Sequence, residues 1–66
     1  MRKSVRHQFS DIMANAEDIA AFAMEAQSRD ATPEMQRILA AHVRSGMKEV
    51  GRKLVAITAM LDRSAR

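Results

Sequence analysis

Few residues in this 66-residue chain are of a type that does chemistry: two histidines, eight acids and no cysteine. His7 has Asp11 one helical turn later, a spacing that suits a surface pair, whereas a metal site would require further ligands at helical spacing. His42 has no acid three or four residues away and falls at the edge of an apolar face. That is the place of a histidine that packs rather than one that ligates or moves a proton. No serine has a histidine and an acid at a spacing readable as a nucleophile, base and orienting acid. No glycine-rich loop is present to cradle a phosphate. The chain is therefore expected to be non-enzymatic and to need no cofactor. The lack of cysteine also excludes a disulfide framework and permits a reducing cytoplasm, the expected location.

The elements that must position these residues are helical. Aromatics make up 3% of the chain, against 47% hydrophobic residues, and only two glycines and one proline are present to make turns. An all-β fold lacks its usual residues, and disorder is disfavoured by the apolar content and a net charge of only +3. One break divides the chain, at Ser28-Arg29-Asp30-Ala31-Thr32-Pro33. Thr32 suits an N-cap, Pro33 the first helical position, and Glu34 the positive end of the helix dipole. Upstream, Val5, Phe9, Ile12, Ala16, Ile19, Ala23 and Ala26 step alternately by four and three. Downstream, Val43, Met47, Val50, Leu54, Ile57 and Leu61 do the same. The spacing predicts one domain over 1–66, with helices at about 4–28 and 33–64 and a loop at 29–32. So short a loop makes the helices an antiparallel hairpin. Gly46 and Gly51 fall inside the second helix. A break at either would give three helices and a helix-turn-helix, but the apolar stripe passes both without changing phase. Gly46 lies near the apolar face, where a small residue lets another helix come close.

One hairpin cannot cover so much apolar surface. Met13, Met24 and Phe22 flank the stripe of the first helix, and Met35, Ile38, His42 and Met60 widen that of the second. A chain of this length also has too small a core to offset the entropy lost on folding. The expected fold is all-α, a two-helix antiparallel hairpin that dimerises into a four-helix bundle. Its candidate dimer core is Phe9, Ile12, Ile19, Val43, Met47, Val50, Leu54, Ile57 and Leu61. In length and two-helix layout the chain resembles small plasmid-encoded RNA-binding helical hairpins that dimerise into four-helix bundles. The likeness includes no shared motif, so no functional residue carries over. The edge residues Met35, His42 and Met60 are the candidate contacts for a larger protein, since methionine repacks around irregular partners. A regulatory or adaptor protein is the expected function.

Charge is segregated along the chain. Asp11, Asp18 and Glu25 recur every seven residues on the first helix, while Arg37, Arg44, Lys48 and Arg52 form a basic stripe on the second. Antiparallel pairing with residue numbers adding to about 61 would set Glu17 beside Arg44 and Glu25 beside Arg37. The alternative function is nucleic-acid (RNA or DNA) binding by the stripe of Arg37, Arg44, Lys48 and Arg52, which the pI of about 10.2 permits. Against it, there is no Tyr or Trp to stack on bases. Arg2, Lys3 and Arg6 would gather with Arg63 and Arg66 as a basic terminal cluster suited to an acidic partner. The basic start resembles a signal peptide's n-region, but Asp11, Glu17 and Asp18 interrupt the segment where its apolar core would lie. Membrane attachment is disfavoured by the acidic outer stripe of the first helix. With neither Trp nor Tyr, the pure chain should absorb almost no near-ultraviolet light. Strong absorbance in a native preparation would reveal a bound nucleic acid or aromatic-rich partner.

Overall fold

The structure, a computed structural model, describes residues 4–64. Two helices account for almost all of them: α1, Val5–Ala26, and α2, Pro33–Ser64. Each begins on a side-chain cap. Ser4 has extended backbone, and its hydroxyl accepts from the His7 N–H at 3.1 Å. Thr32 Oγ1 accepts from the Met35 N–H at 3.2 Å, while its carbonyl accepts the first helical bond of α2 from Gln36 at 2.9 Å. Helix α1 ends at Ala26 without a glycine. Gln27 and Ser28 turn their N–H groups back to Met24 and Glu25, and the Gln27 side-chain amide donates to the Ala23 carbonyl at 3.2 Å. The last carbonyl of α1, at Ala26, accepts from Gln36 Nε2 at 3.1 Å. That bond ties the end of one helix to the first turn of the next, so the connection is held at both ends.

The helices run antiparallel and meet along their whole length. Ile19 meets Gly46, Phe22 stacks on His42, Asn15 Oδ1 accepts from Lys53 Nζ, and Gln8 Nε2 donates to Met60 Sδ at 3.1 Å. In α1 the side chains drawn inward are centred on Val5, Gln8, Ile12, Asn15, Ile19, Phe22 and Ala26, with Asp11 half-buried at their edge. Those of α2 are centred on Leu39, Val43, Gly46, Val50, Lys53, Ile57 and Met60. Both sets keep the alternation of three and four expected of an antiparallel coiled-coil seam. The seam is nevertheless displaced from the stripe read in the sequence. Ile12, Ile19, Val43, Val50 and Ile57 lie in it, but between them come Gln8, Asn15 and Phe22 instead of Phe9, Ala16 and Ala23. In α2, Gly46, Lys53 and Met60 stand in place of Met47, Leu54 and Leu61. Among the described residues only Leu39 and Ile57 are buried, at 7% and 2% exposure, so the hairpin's own core is thin.

Register follows packing rather than charge. Contacting residue numbers add to 62 beside the loop, at Ala26 and Gln36, and to 68 at the far end, at Gln8 and Met60. Neither Glu17–Arg44 nor Glu25–Arg37 forms an ion pair. By helical position, Asp18 and Glu25 flank one side of the seam and Arg37 and Arg44 lie beyond the other. Exposed pairs contribute only about 0–1 kcal/mol each, too little to shift a packed seam. The ion pairs among the described residues run along single helices: His7 Nε2 to Asp11 Oδ1 at 3.8 Å, and Arg52 to Glu49. The molecule is a rod of 53 × 19 × 15 Å, with a radius of gyration of 15.4 Å. A compact chain of this length would have about 10.8 Å.

Helix α2 passes both glycines unbroken. A Cβ on Gly46 would fall 2.7 Å from Ile19 Cγ1, an atom close to a stiff β-branched centre that cannot swing aside. Gly46→Ala is therefore expected to destabilise by about 1 kcal/mol, because overpacking of 1–3 kcal/mol outweighs a propensity gain of about 1 kcal/mol. Urea unfolding checks this. In an Ile19→Ala background the same substitution should become neutral or stabilising.

Candidate functional site

The displaced seam leaves a second apolar surface bare. In α1 the position following each seam residue Gln8, Asn15 and Phe22 carries Phe9, Ala16 and Ala23. In α2 the position following Leu39, Gly46, Lys53 and Met60 carries Ala40, Met47, Leu54 and Leu61. Antiparallel helices wind in opposite senses when seen from one end, so these two flanks fall on the same side of the hairpin. Met13 and Ala20 widen the surface on α1. Its large residues are far from covered: Phe9 is 50% exposed, Met47 58%, Leu54 46% and Leu61 50%. The sheet of side chains runs about 32 Å along the rod, from Leu61 to Ala40.

The total area is larger than a compact chain of this mass exposes. A folded chain of 7.4 kDa exposes about 4,200 Å² by the usual scaling of area with mass. This one exposes 5613 Å². The difference, roughly 1,400 Å², exceeds the ~800 Å² that each partner covers in a standard interface. Exposed Met24 and Val55 lie apart from this side by helical position and are the scattered kind that ordinary surfaces carry.

The opposite side of the hairpin is mixed. Near the loop, Glu25 of α1 and Met35, Ile38 and Leu39 of α2 line a cavity of about 160 Å³. One turn further along, the His42 ring lies over Phe22 with centroids 5.0 Å apart and planes 22° from parallel. The imidazole thus covers an aromatic edge of the seam, a packing role. Met35 and His42, two of the three candidate contacts for a larger protein, therefore share one face. Met60 does not join them: it sits in the seam against Gln8, about 27 Å farther along α2 than His42. Ile38, exposed beside Met35, completes the patch that Met60 does not.

The basic residues are less gathered than their spacing suggests. Arg37 and Arg44 border the bare apolar side, Lys48 points away from the seam, and Arg52 lies on the other side, held by Glu49. Together they cover an arc of roughly 100° around α2. Arg6 and Arg63 come to the same open end of the rod on different faces, and Arg63 borders a second cavity with Val5, Met60 and Ser64. Arg2, Lys3 and Arg66 lie outside the described residues. Among the described residues no three His, Asp or Glu come together as a metal-binding group, and no helix is long and apolar enough to cross a membrane. Comparisons with known protein families, with curated proteins and with solved structures find no match.

The bare side was reachable from the sequence, since Phe9, Ala16, Ala23, Met47, Leu54 and Leu61 are every second member of the stripe read there. The signal that it is not the hairpin's own seam is the parallel alternation at Phe22, Gly46 and Met60, interrupted by polar Gln8, Asn15 and Lys53.

Proposed function

We propose that this chain is a small non-enzymatic regulator or adaptor. It works as a homodimeric four-helix bundle and binds a larger protein through the face that carries Met35, Ile38 and His42. The observation that carries this reading is the division of apolar surface between two sides of the rod. A long, flat side suits a second copy, because a bundle needs a continuous apolar face on each hairpin. The short patch on the other side keeps Met35 and Ile38 exposed around a cavity bordered by Glu25. Small apolar pockets edged by a charge are where a partner's anchoring side chain gains most from burial. A methionine lining adapts to the shape it meets. The absence of cysteine is compatible with a reducing cytoplasm as the place of work.

Nucleic-acid binding is the second reading, and the basic residues of α2 support it. It is less favoured because Arg52 is already paired with Glu49 and the cations are spread around the helix.

Capture from the source cell with three proteins separates the readings. The wild type and an Arg44→Glu/Lys48→Glu variant should retain the same co-purifying protein. Ile38→Glu, at an exposed position, should keep its helical circular dichroism and its dimer but bind that protein at least about tenfold more weakly. Capture that survives Ile38→Glu, fails after charge reversal and falls steeply with salt would instead assign the chain to nucleic acid.

A further inference from the structure

We infer that in the dimer the two loops lie at opposite ends of the bundle, with α1 packed on the partner's α1 and α2 on the partner's α2. This rests on the homodimer proposed above and specifies which contacts make it. The occupant of the bare side is a second copy because the uncovered area, roughly 1,400 Å² per chain beyond the usual scaling, is of the size an obligate homodimer buries. The surface is also self-complementary, as a two-fold interface must be.

Two symmetric arrangements bring the bare sides together. A two-fold axis along the rod keeps both loops at one end and lays α1 over the partner's α2. An axis across the rod opposes the loops and lays like helix on like. Side-chain size decides between them. Phe9, Met13, Leu54 and Leu61 all lie in the open-end half, and Ala20, Ala23 and Ala40, with Met47 the one large residue among them, in the loop half. With the loops together, Phe9 would meet the partner's Leu61 and Met13 the partner's Leu54, while Ala23 would meet the partner's Ala40 and only Met47, over Ala20, would fill the loop half. The bundle would be overfilled at one end and hollow at the other, which close packing does not tolerate. With the loops opposed, Phe9 meets the partner's Ala23, Leu61 meets the partner's Ala40, and Leu54 meets the partner's Met47. Each large residue faces a smaller or adaptable one.

The glycine at 51 gives independent support. In its own chain nothing lies within 4 Å of where its Cβ would be, and a glycine there costs the helix about 1 kcal/mol. The contacts of Ile19 with Gly46 and of Asn15 with Lys53 set Ala16 level with the turn that holds Gly51. In the opposed arrangement this level is the two-fold axis, where Ala16 faces its own copy and Gly51 its own copy. A missing Cβ lets the two α2 helices approach where they cross.

The chain has no native cysteine, so single introduced thiols report the arrangement directly. Ala16→Cys should oxidise to a covalent dimer in high yield, because the two α1 helices touch at that point. In the other arrangement the α1 helices are diagonal, about 14 Å apart, beyond disulfide reach. A spin label at Asp30→Cys in the loop should give an interlabel distance of about 50 Å, close to the 53 Å length of the rod. A dimer with loop distances below roughly 25 Å and no Ala16→Cys cross-link overturns this orientation and leaves the homodimer intact. A chain that sediments as a monomer overturns both.

Discussion

Two helices packed side by side can dry one stripe on each, and this chain carries a second apolar stripe next to the first. The inner stripe closes the hairpin through Leu39, Val43, Val50 and Ile57 against Ile12, Ile19 and Phe22. The outer one, through Phe9, Met47, Leu54 and Leu61, stays about half exposed. Everything distinctive about the molecule follows from that arrangement: its thin core, its rod shape and its surplus area. A hairpin with only two buried side chains among its described residues has little to set against the entropy of ordering them. Covering the outer stripe is the natural way to make up the difference.

The inner seam is held in place by shape and polar pairing more than by apolar mass. Gly46 lets Ile19 reach the backbone of α2, and Phe22 is roofed by His42. Farther from the loop, Asn15 with Lys53 and Gln8 with Met60 take positions that an idealised seam would fill with leucine. Half-buried polar pairs of this kind contribute little to net stability, but a slipped register would leave each one unpartnered. They give the hairpin one alignment. The apolar outer stripe, free of such pairs, can then serve association.

Much of this organisation is legible in the residues. Thr32-Pro33-Glu34 marks the start of α2, and the alternation of threes and fours marks two helices long enough to lie along each other. Which stripe each helix turns inward is not legible by counting apolar residues. Phe9, Ala16 and Ala23 make a cleaner apolar series than Gln8, Asn15 and Phe22, yet the latter pack inside. Periodicity scores each helix alone, whereas the choice of seam depends on what the facing helix offers. Gly46 against Ile19 and Lys53 against Asn15 are complementary only as pairs. The charge pattern misleads for a similar reason: Glu25 and Arg37 suit each other in number but lie on opposite sides of the rod. Of the candidate contacts, Met35 and His42 come together because seven residues return to one helical face, while Met60, not a whole number of heptads from either, is drawn into the seam.

In the proposed dimer two chains join through the outer stripe, which leaves the Met35 and Ile38 patch free for another protein. Sedimentation equilibrium combined with thermal unfolding at several protein concentrations tests it most directly. A dimer of this kind has a mass twice the 7.4 kDa of the chain and a melting midpoint that rises with concentration, because association and folding are linked. A folded, helical species of 7.4 kDa whose melting midpoint is independent of concentration would contradict it.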